Sequence, residues 1–540
     1  MKILLIAVNA KYIHSCPAVY SLKAYADRYK NTDVQIEIAE YTINDRYGDI
    51  LADIMKRKPD VAAFSTYIWN IDRVLQLMRD IRTIAGGGIQ IWAGGPESTN
   101  APEKFLAGCG GPLADVCMQG EGEETFTHLA DRAHLLQTGE KVQPDLSDIP
   151  GLALPGADGR IMYTPPAPPV SMDKIPFLFS DLSLFDNRIL YYESSRGCPY
   201  RCSYCLSSID RSVRFRSLET VKKELQFFLD HKVRQVKFVD RTFNCSHEHA
   251  DAIWHYIAEH DNGVTNFHFE IEAGLITQEE IAFLNTLRPG LVQMEIGIQS
   301  VNPPTLRAVN RAADTDRIEQ AVAGLHRAGN INIHLDLIAG LPYEDMNLFC
   351  RSFNRVYAMR PEQLQLGFLK VLRGTEMARR SGEFGIASSA NSPYQVLKTR
   401  WMSFDDLTRL GRISDMLEDY YNSLFFRRSL PYIETLFDSP FALYDELADY
   451  YARNGYDIRK PAARRRYDIM KSFIREHCKD EKFYAALCSR IDFDKALHFG
   501  ASRRMEAVHT FDFGSGLLTF RIDYSRRNPV NGEAAFTEKI

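Results

Sequence analysis

The sequence predicts an α/β protein: an N-terminal doubly wound, Rossmann-like parallel sheet, a full or partial TIM-like (β/α)6 barrel, and a mostly α C-terminal domain. Three observations predict it. Over residues 1–135, apolar strand-like runs alternate with amphipathic helical patterns. Such alternation argues for a parallel sheet whose ligands sit beyond the carboxyl ends of its strands. From Ile189 the alternation resumes, with polar loops after the strands, as in barrels that carry function on one face. Beyond residue 385 the chain turns aromatic and charged, with helical periodicity.

In chain order, the first strands are expected at 2–8, 34–40, 61–66, 89–93 and 114–119, with helices at 17–29 and 71–84. This segment, 1–140, is read as one domain. Residues 141–188, rich in Pro and Gly and holding Pro165-Pro-Ala-Pro-Pro169, read as a linker. The barrel is placed at 189–385. Its strands are expected at 189–193, 236–239, 267–271, 291–298, 331–338 and 363–368, with helices such as 218–230 and 315–328. An accessory domain of unknown role fills 386–540, with a helix over 404–424 and a closing hairpin around Gly514-Ser-Gly516.

Composition narrows the class. The 540 residues are 45% hydrophobic and 25% charged with a net charge of −5, which gives no electrostatic pull toward nucleic acid. Arginine pairs in the last domain (Arg427-Arg428, Arg503-Arg504, Arg526-Arg527) and Arg464-Arg-Arg466 invite that reading. They sit among 24 basic and 22 acidic residues over 386–540, a balance of +2, so solvated helix faces are expected instead. No apolar run reaches the roughly 20 residues that span a bilayer. The start of the chain reads as a buried strand rather than a signal segment. Ten cysteines, three of them clustered, suit a reducing interior, and the expected location is cytoplasmic.

The clustered cysteines carry the chemistry. Cys198, Cys202 and Cys205 stand three and then two residues apart in one Gly/Pro-bearing loop, Gly197-Cys-Pro-Tyr-Arg-Cys-Ser-Tyr-Cys205. Thiolates are the usual ligands of iron–sulfur clusters, and three of them leave one iron of a cubane open. An open coordination position implies that a substrate or cofactor binds the metal there. A zinc site is the competing reading. Zinc wants a fourth Cys or His at comparable spacing, and none lies close behind Cys205.

This loop, with an aromatic before the third cysteine, resembles the signature of radical S-adenosylmethionine (SAM) enzymes. The resemblance implies a 4Fe-4S cluster on Cys198, Cys202 and Cys205, with SAM on the open iron and cleaved to a 5′-deoxyadenosyl radical. It also implies SAM contacts at Asp240, Thr242, Asn244, Glu272, Glu295, Gln299, Ser300 and Gly340, which fall at strand ends in the order the family uses. The family's glycine-glycine-glutamate stretch is absent, and Asp240, Thr242 and Asn244 stand in its place. Cys245, beside this group, is the one catalytic candidate, though a buried thiol is its more ordinary role.

A doubly wound domain ahead of such a barrel resembles the cobalamin-binding domain of cobalamin-dependent radical SAM enzymes. The implied cobalamin residues are Tyr12, His14, Ser65, Thr66, Trp69, Gly94, Gly95, Gly120 and Glu121. Glycines at strand ends let the backbone approach a bulky ligand. The Asp-x-His-x-x-Gly loop that supplies cobalt with a histidine in methionine-synthase-like domains is absent after the first strand, where Asn9-Ala-Lys11 stands. Histidine coordination from that motif is therefore not expected. The last domain resembles an uncharacterised tail attached to some bacterial proteins of this kind.

The expected function is a cobalamin-dependent radical SAM enzyme that methylates an unactivated carbon. The alternatives are a radical cyclase or rearrangement enzyme without methyl transfer, and a non-catalytic cobalamin- or redox-responsive binding protein. The resemblance implies an external electron donor such as flavodoxin or ferredoxin. The expected substrate is a small molecule or peptide, with neither membrane nor nucleic acid as a partner.

Overall fold

The computed structural model describes residues 1–107, 111–140, 145–156, 160–209, 212–500, 506–527 and 533–539. Arg503-Arg504 and parts of the expected linker, 141–144 and 157–159, lie outside them. The chain divides into two compact units. One comprises Met1–Glu270, Lys370–Gly382 and Ser388–Gln395, and the other Ile271–Leu369, Glu383–Ala387 and Val396–Ile540.

The first unit opens with strands β1 (Lys2–Asn9), β2 (Gln35–Thr42), β3 (Val61–Ser65), β4 (Gln90–Gly94) and β5 (Val116–Met118). They pair in the order β2-β1-β3-β4-β5, all parallel. Helices α1 (Pro17–Tyr29), α2 (Tyr47–Lys56), α3 (Ile71–Ala85) and α4 (Glu123–Gln137) connect and follow them. Proline at the first turn of α1 suits a position whose N–H has no partner in the helix. β1 shows why the sheet is doubly wound. Leu4, Ile6 and Val8 join one apolar core, and Ile3, Leu5 and Ala7 join the other. A strand buried on both faces loses the alternation of a one-sided sheet and reads as a continuous apolar run.

Within the stretch expected as linker, β6 (Leu152–Pro155) extends this sheet antiparallel to β5, and β7 (Ile161–Tyr163) pairs antiparallel with β6. Next come β8 (Leu190–Tyr192), then the short antiparallel pair β9 (Ser195–Arg196) and β10 (Arg214–Phe215), which brackets the cysteine loop. Parallel strands β11 (Gln235–Phe238) and β12 (Asn266–Ile271) follow, in the order β8-β11-β12. They alternate with α5 (Leu218–Asp230), capped by Ser217, and α6 (His247–Glu259), capped by Ser246.

The second unit holds β13 (Val292–Gln299), β14 (Asn332–Ala339) and β15 (Gln363–Phe368), parallel to one another. α7 (Thr315–Leu325) and α8 (Met346–Ala358) complete their βα repeats. β13 alternates strictly: Val292, Met294, Ile296 and Ile298 are buried, and Gln293, Glu295, Gly297 and Gln299 occupy the other face. The longer helices that follow are α9 (Phe404–Leu417), α10 (Pro440–Arg453), α11 (Ala463–His477) and α12 (Glu481–Phe499). The helix expected over 404–424 ends in a π-helical turn at Glu418–Asn422. The expected hairpin is present as Glu506–Asp512 and Leu517–Arg527, and a third strand, Ala534–Lys539, joins it. No helix among the described residues is long and apolar enough to cross a membrane.

Candidate functional site

The cysteine loop lies between β9 and β10. Gly197 has φ +104, and a Cβ there would meet the Ser212 carbonyl at 1.9 Å, so only glycine admits the turn into Cys198. Cys202 is buried, Cys198 and Cys205 are half-buried, and none of the three forms a disulfide among the described residues. The Cys205 amide donates to the Cys202 carbonyl at 3.0 Å, folding the CxxC end into a turn. Cys198 Sγ lies 3.5 Å from Thr242 Oγ1. Three soft thiolates from one loop suit an iron–sulfur cluster with an open position.

The loop is held from behind. Asp240 is fully buried. It accepts from the Ser194 amide at 2.8 Å, Ser194 Oγ at 2.5 Å and Ser195 Oγ at 2.8 Å. His249 Nε2 reaches Ser194 Oγ at 3.1 Å. Burial pushes the Asp240 carboxyl up to about 6 and the His249 imidazole down to about 4. Asp240, expected at the SAM ammonium, thus has both oxygens engaged by the segment that leads into the cluster loop. Asn244 is also fully buried, and Thr242 donates to the Arg241 carbonyl at 2.8 Å. Burial raises the Cys245 thiol to about 11, which leaves it protonated and a poor nucleophile at neutral pH.

The same unit contains a cavity of 880 Å³. His14, Ser65, Trp69, Gly94, Gly95, Gly120 and Glu121, expected from sequence, line it, whereas Tyr12 and Thr66 do not. Tyr12 is 61% exposed, with the Arg188 guanidinium over its ring. Thr66 is buried and clips two strand ends together: it donates to the Gly94 carbonyl at 2.9 Å and accepts from the Ser98 amide at 3.1 Å. Gly95 has φ +111, and a Cβ would come within 2.7 Å of the Thr66 carbonyl. Trp69 stacks on Tyr67 with centroids 4.4 Å apart. His14 Nδ1 meets the Tyr191 hydroxyl at 2.5 Å, and burial, then Lys11 and Lys237, lower its pKa. A broad apolar hollow floored by glycines at strand ends fits a large planar cofactor with a long tail.

Sequence reasoning missed the ionic frame of this cavity. Arg196 pairs with Glu193 at 2.7 Å, Glu123 at 2.9 Å and Glu121 at 3.2 Å, and Arg214 also pairs with Glu121. Glu121 and Glu123 lie more than 70 residues from these arginines in sequence, so no local motif announces them. Phe177 and Phe179, from the Pro-rich stretch, line the same cavity.

The second unit groups the other expected residues. Glu272 caps a short 3₁₀ turn and pairs with Arg311 at 3.0 Å. Arg311, absent from the sequence reading, also donates to the Gly297 carbonyl. Gln299 sits at a β-bulge with φ +71, folded over Gly297, and its buried Oε1 has no hydrogen-bond partner. An orphaned acceptor at a strand end fits a hydroxyl-bearing ligand. Glu295 lies with His334 and Asp336, their ligand atoms within 4.8 Å of one another. Ser300 is buried and donates to Glu344 at 2.6 Å, and burial lifts the Glu344 carboxyl to about 7. Gly340 has φ +84, with Val396 where a Cβ would stand.

Three family models match the chain: the B12 binding domain at 3–130, the radical SAM superfamily at 192–355, and a protein of unknown function (DUF4080) at 382–508. Among curated proteins, an uncharacterized methyltransferase of Pyrococcus horikoshii is 26% identical over 305 residues, 53% of this chain and 63% of the relative. The cobalamin-dependent radical SAM methyltransferase TokK of Streptomyces tokunonensis is 24% identical over 320 residues, 54% of this chain and 44% of the relative. The chain thus spans about half the length of these two relatives. Among solved structures, the cobalamin-dependent radical enzyme OxsB, with aqua-cobalamin and SAM bound, superposes with a TM-score of 0.61. That match has 16% identity and covers 91% of this chain and 78% of OxsB. The radical SAM methyltransferase TsrM of Kitasatospora setae gives a TM-score of 0.57 at 16% identity, over 73% of this chain and 78% of TsrM. These likenesses are of fold. By these matches the chain carries a B12-binding domain, a radical SAM domain and a C-terminal DUF4080 domain, in that order.

Proposed function

We propose that the chain is a cobalamin-dependent radical SAM methyltransferase acting on an unactivated carbon. The observation that carries the reading is the 880 Å³ cavity. Its lining runs from the strand ends of the B12-binding domain (Ser65, Gly94, Gly120) to the residues around the cluster loop (Glu193, Arg196, Arg241). Two cofactor stations that share one cavity can act on one substrate. When bound, the cluster with SAM supplies one-electron radical chemistry and cobalamin supplies a transferable methyl group.

In this reading Cys198, Cys202 and Cys205 hold the cluster, and the Asp240–Ser194–Ser195 group fixes the backbone that presents them. Thr242, next to Cys198, contributes to the methionine end of SAM, and Gln299 Oε1 accepts from a SAM hydroxyl. Ser65, Trp69, Gly94, Gly95 and Gly120 receive the corrin and its tail. Phe177 and Phe179 exclude water, which would otherwise quench reactive carbon species. His14, with its pKa lowered, stays neutral at pH 7 and adds no charge to the cavity.

The test uses anaerobic protein reconstituted with iron, sulfide and hydroxocobalamin, then given reductant and SAM. Formation of both 5′-deoxyadenosine and S-adenosylhomocysteine, with deoxyadenosine lost in Cys198→Ala, supports methyl transfer. Deoxyadenosine alone overturns the methyltransferase reading in favour of cyclase or rearrangement chemistry. Absence of both overturns the enzymatic reading.

A further inference from the structure

Two segments that follow the last barrel strand, Lys370–Gly382 and Ser388–Gln395, belong to the first unit together with the B12-binding domain. They close on each other through an antiparallel bridge between Lys370 and Gln395, with the Val371 amide donating to the Tyr394 carbonyl at 3.0 Å. Ser388–Gln395 lies inside the DUF4080 match, a region to which no chemistry has been attached.

This pair of segments grips the loops that line the cavity. Ser392 Oγ donates to the carbonyl of Ile68, the residue between Tyr67 and Trp69. The Tyr394 hydroxyl donates to Glu97 Oε2 at 2.6 Å and accepts from Lys104 Nζ at 2.6 Å. Lys104 also pairs with Glu97 at 3.1 Å and lies 4.8 Å from the Tyr394 ring centre. Glu97 is 7% exposed and Tyr394 is 5% exposed, so the carboxylate and the hydroxyl are desolvated and the charge-assisted bond between them is a strong one. Arg373 pairs with Glu103 at 2.5 Å. Gly374, at φ +83, passes so close to Asn100 that a Cβ would stand 2.1 Å from its Oδ1. Asn100 itself lines the cavity. At the other end the Met377 amide donates at 2.8 Å to the carbonyl of Ser203, between the second and third cluster cysteines.

We propose that Lys370–Gly382 and Ser388–Gln395 form a clasp that fixes the cofactor-facing loops after β3 and β4 of the B12-binding domain against the cysteine loop, with Tyr394 as its positioning residue. The leading edge of DUF4080 thereby acquires a role: it sets the shape of the cobalamin station rather than touching substrate. The inference rests on the cobalamin reading above. Tyr394 ties Glu97, two residues past Gly95, to the Trp69 loop through the nearby Ser392. Loosening it frees both walls of the station at once.

The experiment is hydroxocobalamin binding to the full reconstituted chain, followed by its absorption spectrum and by EPR of the bound cob(II) state. Tyr394→Phe removes one hydroxyl and keeps the ring. Gly374→Ala loads the Asn100 approach, and Tyr432→Phe, a half-exposed tyrosine elsewhere, is the control. The expected result is a loss of affinity of about fivefold or more in both clasp variants, the scale of one hydrogen bond. Broadened cob(II) EPR lines and normal iron content should accompany it in Tyr394→Phe. Wild-type affinity and spectra in Tyr394→Phe overturn the clasp while leaving cobalamin binding intact. Failure of the wild type to bind hydroxocobalamin overturns the underlying reading and the clasp with it. Should Gly374→Ala misfold, Tyr394→Phe alone decides.

Discussion

Arg196, two residues before the first cluster cysteine, donates to Glu123, at the first turn of the helix after β5, at 2.9 Å. The pair joins the cysteine loop to the strand-end loop of the B12-binding domain inside one compact unit. Burial alone would push the Glu123 carboxyl up, but Arg196 more than offsets it and holds the group below the usual carboxylate range. Removing the guanidinium leaves a buried carboxylate without its counter-charge. Arg196→Ala should therefore cost about 3 kcal/mol at pH 7, the penalty for breaking a buried pair. Because the native pKa of Glu123 is depressed, its contribution is present above the unfolded carboxylate pKa and lost as pH falls through the native one. Denaturant unfolding at pH 7.5 and pH 4 checks this: the gap between wild type and Arg196→Ala should shrink at the lower pH.

Trp69 is 45% exposed and rests on Tyr67 in a parallel stack. An aromatic half in solvent at a cavity rim adds little to folding but much to a flat ligand. Trp69→Ala should change stability by less than about 1 kcal/mol, as surface substitutions do, while weakening hydroxocobalamin binding. Titration followed by absorbance measures the second effect, and thermal unfolding the first.

Gln299 carries a buried acceptor with no partner, at a bulged strand end. Gln299→Leu removes that orphan and should leave stability unchanged or slightly higher. The affinity for SAM should fall about tenfold, the worth of one good hydrogen bond. Equilibrium dialysis with SAM on the cluster-loaded chain reads the difference.

Asp494 accepts from the Ser429 amide at 2.8 Å and the Arg428 amide at 3.3 Å, and burial pushes its carboxyl up to about 7. A carboxyl whose native pKa is raised binds its proton more tightly in the folded state. Its stabilisation is full below the unfolded value near 4 and is lost as pH rises toward 7. Asp494→Asn keeps one of the two acceptor oxygens and removes the titration. Between pH 4 and 8 the wild type should lose about 4 kcal/mol relative to this variant. Thermal midpoints of the two chains across that range test the slope.

Legibility followed sequence distance. The cysteine loop was readable because its ligands stand within eight residues, and the strands were readable because β1 and β13 write their burial directly into apolar runs and alternation. β6 was not, since four residues ending in Pro155, in a Pro-rich neighbourhood, look like linker until an antiparallel partner is present. Asp240 was visible as a polar group at a strand end, but its engagement by Ser194 and Ser195, 46 and 45 residues away, was not. Neither was Tyr394 on Glu97, a contact spanning 297 residues. Charge pairs and clasps of this kind leave no period and no spacing in the chain.

The central claim is that the cluster and cobalamin stations open into one cavity. The most direct measurement is EPR of the fully loaded chain in the presence of SAM, with cobalamin in the cob(II) state and the cluster switched between oxidised and reduced forms. The account predicts that reducing the cluster broadens the cob(II) signal and speeds its relaxation, and that Cys198→Ala, lacking the cluster, shows the undisturbed signal in both conditions. A cob(II) signal indifferent to the cluster's redox state in the wild type would contradict it.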